Sequence, residues 1–186
     1  MKTVTVPTHD QVSPANQALF DQLKKTLGFV PNLYATFAHS ETALPTYLAL
    51  QNARSSLSSK AREVINLAVS EVNQCAYCLA AHTALGKMVG FTEQQIFDIR
   101  GGTAPFDARL DALARLVRNV AIKRGHADQA VLQAFFAAGW TEGNLVDVML
   151  VIGDKTVSNY LHSTTEIPVD FPPAVSLAQA REAVAA

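Results

Sequence analysis

An all-helical fold is the class this sequence predicts, and three observations carry that prediction. Long alternating runs of β-branched residues, the mark of strands, are almost absent from the 186 residues. Helix starts and stops recur instead, as Ser-Pro, Thr-x-x-Gln and single glycines between apolar-periodic stretches. About half of the chain is apolar (49%), enough to pack an interior without disulfide staples or a structural metal.

The elements follow in order. A polar leader, 1–12, precedes Ser13-Pro14, which opens a first helix with proline at its first position; Gly28 closes it. Residues 31–39 suit a short helix and Glu41 to about Ser56 a longer one. Leu57-Ser58-Ser59 supplies capping hydroxyls for a helix with Val64, Leu67, Ala68 and Val72 on one face. Asn73 is a good N-cap, so the chain is expected to turn there and start a helix that runs to about Val89, ended by Gly90. Thr92-Glu93-Gln94-Gln95 has the capping-box pattern and leads a short helix to Arg100, broken by Gly101-Gly102. Further helices are expected over Asp107–Arg124, Asp128–Ala138 and Thr141 to about His162. Prolines extend the segment from Ile167 to Pro173, and the last dozen residues suit a frayed helix. The reading is one helical domain over 13–165 with a C-terminal tail, 166–186. Gly90-Phe91-Thr92-Glu93 is echoed by Gly139-Trp140-Thr141-Glu142. This is either a degenerate second helical unit over 107–162 or merely an efficient way to stop and restart a helix.

Composition narrows function. A formal net charge of −1 gives no basic footprint for nucleic acid. No run of some 18 apolar residues suggests a membrane span, and the polar first residues lack a signal peptide's apolar stretch. A cytoplasmic location is the expectation. Two cysteines are too few for a secreted disulfide scaffold, and they fall within four residues of each other. In a reducing compartment such a pair is more often catalytic, redox-sensing or metal-binding than structural.

On a helix, Cys75, Cys78 and His82 would be spaced i, i+3 and i+7 and lie within an arc of about 60°. Thiols one turn apart can close a disulfide with modest adjustment. In a first turn, the unsatisfied N–H groups and the helix dipole favour thiolate. His82 is placed to accept or relay a proton, and it needs a carboxylate to orient it. Glu71, four residues before Cys75, would share the cysteine face of a continuous helix; Glu63, twelve before it, would fold back beside His82 if the chain turns at Asn73. The turn signal favours Glu63.

The stretch from Glu63 through Cys75-Ala-Tyr-Cys78 to His82 resembles the core of the alkylhydroperoxidase D family, in the carboxymuconolactone decarboxylase superfamily. Its signature is a Glu, eleven residues, Cys-x-x-Cys, three more, and a His; all four positions are present here. The surrounding helical pattern is similar to peroxidase-related members with an added N-terminal helical segment. The resemblance implies an all-α fold, assembly into trimers or hexamers, and reduction of alkyl or hydrogen peroxides. Cys78 would be the attacking thiolate, Cys75 the resolving thiol, and Glu63 and His82 the proton relay. No cofactor is implied. The partners implied are a small peroxide and an external thiol or lipoyl-type protein reductant. Tyr77 stands where some members carry an additional histidine.

Two other readings compete. Cys75, Cys78 and His82 are zinc ligand types, but no second Cys-x-x-Cys or His-x-x-x-His completes a site. A lactone decarboxylase like the superfamily's name-giver would not rely on the cysteine pair. His9 and His126 are expected to be solvated, and His39 and His162 to serve surface or capping roles. Asn159, Tyr160 and His162 are weak candidates for a pocket, and Trp140, Phe135 and Phe136 are expected in core or interface.

Overall fold

The computed structural model describes residues 3–185 and is built from helices, with no strand among the described residues. The helices are α1 (Pro14–Leu27), α2 (Asn32–Phe37), α3 (Ala43–Gln51), α4 (Ser59–Val72), α5 (Ala76–Met88), α6 (Glu93–Arg100), α7 (Ala108–Ile122), α8 (Gln129–Ala137), α9 (Glu142–Thr165) and α10 (Leu177–Ala185). A 3-10 turn over His9–Gln11 precedes them. No single helix among the described residues is long and apolar enough to cross a membrane.

The termini follow from the local signals. Ser13, Ser58, Thr92, Asp107 and Thr141 each cap a helix with a side-chain oxygen that accepts a backbone N–H of the first turn. Gly28, Gly90, Gly125 and Gly139 take the left-handed conformation that ends helices. The two Gly-aromatic-Thr-Glu segments thus share one device, a left-handed glycine followed by a threonine capping box.

Two boundaries differ from expectation. α3 stops at Gln51, because Ser55 and Ser56 turn out to hold the Asp147 carboxylate, through Ser56 N–H at 2.7 Å and its hydroxyl at 2.6 Å. α9 runs to Thr165 and closes on Glu166 at φ 50°.

α4 is buried on almost every side and forms the hub against which α5, α6, α7 and α9 pack. Its core continues to Trp140, which stacks on Phe135 (centroids 5.5 Å, planes 2° apart), donates its indole N–H to Arg109 O at 3.0 Å, and carries the Arg109 guanidinium over its ring. A second apolar cluster joins the N-terminal helices to the thiol motif: Phe20, Leu33, Phe37 and Tyr47 pack with Cys75, Tyr77 and Cys78. The leader takes part, with Pro7 and Val12 buried. The N-terminal segment is therefore a roof over the cysteines.

Candidate active site

The turn between α4 and α5 places the thiols. Asn73, expected to open the second helix, instead closes α4, its N–H bonded to Val69 O at 2.9 Å. Gln74 takes φ 52°, and Cys75 itself caps α5, with its sulfur accepting the Cys78 N–H at 3.3 Å. The reason lies in α9: Asn159 accepts the Asn73 amide at 2.9 Å and reaches Ser70 at 3.3 Å, which occupies the Asn73 side chain across the interface. Cys75 is thus a capping residue, whereas Cys78 and His82 project from the helix proper.

The reversal at Gln74 brings Glu63 beside His82. Glu63 Oε2 lies 2.8 Å from His82 Nδ1, and its Oε1 accepts the Asn66 amide at 2.9 Å. A carboxylate only accepts, so Nδ1 carries the proton and Nε2 is left for the cavity. Burial alone would raise the Glu63 carboxyl. The charge and hydrogen bond of His82, the Asn66 amide and the charge of Lys155 outweigh it and hold the group below the usual carboxylate range. Glu71 is elsewhere: it pairs with buried Arg100 at 2.7 Å, whose other arm donates to Val175 O.

The two thiols are free and buried, and they differ in character. The Cys75 thiol hydrogen bond brings the Cys78 thiol down to about 6 against the opposing effect of burial, helped by Lys155, His82 and the Asn159 amide. That same hydrogen bond, with burial and the charge on Cys78, pushes the Cys75 thiol well up. One proton is therefore held on Cys75, and Cys78 carries the charge.

Cys78, and not Cys75, borders a cavity of about 390 Å³. His82 and Lys155 share its polar end, and Leu27, Phe29, Tyr34, Tyr47, Met88 and Phe171 make up much of its wall. A larger groove of about 480 Å³, beside His9 and Phe20, touches none of these groups. Among the described residues no group of three or more His, Cys, Asp or Glu side chains is placed to hold a metal ion.

Lys155 and Asn159 went unread as site residues or were only loosely placed. Lys155, Ser158, Asn159 and His162 recur at i, i+3, i+4 and i+7 on α9, a polar stripe that would ordinarily face water; all four are buried. His162 corrects the surface or capping role expected of it. Its ring packs on Tyr77 (centroids 5.3 Å), its Nε2 lies 3.2 Å from Ile167 O, and burial holds it below the usual histidine value. Tyr160 is exposed. His9 pairs with Asp21 at the surface, and His39 reaches Thr5 O.

An all-helical chain with a Cys-x-x-Cys at a helix start and a Glu–His pair behind it is similar to several known proteins. The model of the carboxymuconolactone decarboxylase family matches residues 40–119. An uncharacterized peroxidase-related protein from Silicibacter sp. TM1040 is 25% identical, with 94% of each chain covered and a TM-score of 0.75. An uncharacterized peroxidase-related protein from Ralstonia eutropha JMP134, described as an alkylhydroperoxidase AhpD core, superposes with a TM-score of 0.77 at 20% identity, covering 95% of this chain and 96% of that one. The debrominase Bmp8, solved with 2,3,4-tribromopyrrole, shares the fold at 12% identity (TM-score 0.75, 91% and 92% covered). The uncharacterized protein YdfG of Bacillus subtilis (strain 168) is 41% identical over 44 residues, 24% of this chain and 30% of that protein, so the match spans under a third of that relative's length. The family match thus covers the thiol motif and the helices on either side of it, and the solved structures share the all-helical fold over more than nine-tenths of the chain.

Proposed function

We propose that the chain is a thiol-dependent peroxidase that reduces alkyl or hydrogen peroxides through Cys78 and Cys75. The observation that supports this most is the asymmetry of the thiols: the one held as thiolate borders the cavity, and the one that keeps its proton lies behind it. The Cys78 sulfur attacks the terminal peroxide oxygen, forming an S–O bond as the O–O bond breaks. The sulfur is oxidised by two electrons, and the departing alkoxide takes a proton from His82 Nε2, with Glu63 balancing the charge on the imidazole. Cys75 then condenses with the sulfenic acid, releasing water and forming the 75–78 disulfide. An external dithiol, free or lipoyl-borne on a protein, returns two electrons and two protons.

The test is a titration of free thiols before and after one equivalent of peroxide, in the chain and in Cys78→Ser. The variant is expected to consume no peroxide; consumption as fast as the unsubstituted chain overturns the assignment. Near-stoichiometric zinc bound through both thiols would favour a metal-binding role instead. Lactone decarboxylation that survives loss of both thiols would favour a lyase.

The homo-oligomer implied by the resemblance draws support from α9. Val146, Leu150, Gly153, Val157 and Tyr160 recur at spacings of four, three, four and three residues, and all are exposed. That is the seam by which one helix packs on another, and it supports self-association of two or more copies.

A further inference from the structure

The charges in the thiol site do not balance without a residue that no sequence motif marks. Glu63 and His82, when the ring is protonated, compensate each other at 2.8 Å. The Cys78 thiolate then needs a cation of its own. Lys155, from the middle of α9, is 2% exposed and shares the cavity with Cys78 and His82. Among the described residues no carboxylate lies within ion-pair distance of its ammonium. A buried cation without a counter-charge costs several kcal/mol, on the order of the effective penalty for a single desolvated ion, so its position calls for an anion in the cavity.

The other groups packed around the site do not supply one. Tyr34 from α2 is raised to about 12, chiefly by burial. Burial also raises Tyr47 from α3 and Tyr77 from α5, and each stays a neutral phenol. Cys75 keeps its proton. Asp154, next to Lys155 on α9, is buried against the Tyr47 hydroxyl and also borders a second cavity beside Arg54 and Arg62; among the described residues no ion pair joins it to Lys155. Asp170 in the tail accepts the Asn32 N–H at 2.7 Å and faces Tyr77. His162 lies against Tyr77 and Ile167.

We propose that Lys155 is the positioning charge of this site: its ammonium is the counter-ion of the Cys78 sulfur, and it stays in place to meet the anion that leaves when that sulfur is oxidised. The inference rests on the thiol reading above, but it concerns the charge on Cys78 and not the identity of the oxidant. When the 75–78 disulfide forms, the sulfur anion is gone and Lys155 loses its partner.

The experiment uses Lys155→Met, Lys155→Gln and Lys155→Arg in the full chain. Iodoacetamide labelling of Cys78, resolved by mass spectrometry of the peptide, is followed from pH 4 to 10, and thermal midpoints are taken for reduced and disulfide forms. The neutral variants should label Cys78 about fivefold more slowly near pH 6, the effect of a midpoint displaced upward by one unit, and Lys155→Arg should restore most of the rate. The reduced form of Lys155→Met should melt lower than the unsubstituted chain, and its disulfide form equally high or higher. An unmoved labelling profile overturns the proposal. So does an equal loss in both redox forms, or failure of both neutral variants to fold, since each assigns Lys155 to structure. The labelling needs no peroxide, so loss of the peroxidase reading and loss of this one are separate results.

Discussion

Replacing Glu63 with glutamine isolates the charge of the relay from its shape. The carboxylate is 8% exposed, with Oε2 at 2.8 Å from His82 Nδ1 and Oε1 at 2.9 Å from Asn66 Nδ2. The introduced amide keeps an oxygen for the His82 N–H but turns an NH2 towards the Asn66 NH2. Asn66 resolves that conflict by rotating its own amide, because its Oδ1 is buried without a hydrogen-bond partner and gains one on rotation. The fold should therefore tolerate the change within about 1 kcal/mol. The imidazolium form of His82 loses more, since a charge-assisted bond contributes about 1.5–3 kcal/mol against about 1 for a neutral one. A difference of about 1–1.5 kcal/mol corresponds to roughly five- to tenfold in any step that draws a proton from His82. Peroxide turnover at pH 7 by Glu63→Gln, read beside its urea midpoint, provides the assay. A rate within twofold of the unsubstituted chain would refute the relay, and a collapse of the midpoint would make Glu63 structural.

Four further outcomes follow from the same geometry. The Glu63 carboxyl lies below its ordinary 4.5 when folded, so its contribution to stability is complete above that value and disappears as pH falls through the folded value; acid unfolding should begin below about pH 4.5 and be shallower in Glu63→Gln. Cys75→Ala removes the main donor to the Cys78 sulfur, so the midpoint of Cys78 alkylation should climb from about 6, and a climb of one unit lowers the rate at pH 6 about fivefold; an unchanged midpoint would show that Cys75 does not hold the charge on Cys78. Gly102 sits at φ +88° where an added Cβ would lie 2.1 Å from Arg118 Cδ, so Gly102→Ala should lose at least about 1–2 kcal/mol in denaturant melts. Leu150→Glu places a charge in the exposed α9 seam and should shift the light-scattering mass towards one chain, whereas an unchanged mass would leave the seam without a partner.

The helices were legible because their ends are written in local chemistry: Ser13, Ser58, Thr92 and Thr141 cap where their hydroxyls announce it, and glycines stop what precedes them. The choice of Glu63 over Glu71 was legible for the same reason, since one turn signal near Asn73 decides which carboxylate folds back. What Asn73 does in that turn was not, because its amide is claimed by Asn159, 86 residues away. Lys155 escaped for a related reason. A lysine beside an aspartate on a long helix reads as solvated, and only the packing of α9 on α4 and α5 makes its stripe an inward one. His162 was misread on the same ground, its burial coming from Tyr77 and the tail. The roof of Tyr34, Tyr47 and Phe171 over the cavity is tertiary in origin and carries no motif.

The central claim is that Cys78 takes the oxidising equivalent and Cys75 resolves it. Its most direct measurement is mass spectrometry of the reduced chain after one equivalent of an organic hydroperoxide, alongside Cys75→Ser and Cys78→Ser. The unsubstituted chain should lose both thiols to one 75–78 disulfide, Cys75→Ser should hold a sulfenic acid on Cys78, and Cys78→Ser should leave the peroxide intact. Both thiols remaining free in the unsubstituted chain, or peroxide loss undiminished in Cys78→Ser, would contradict it.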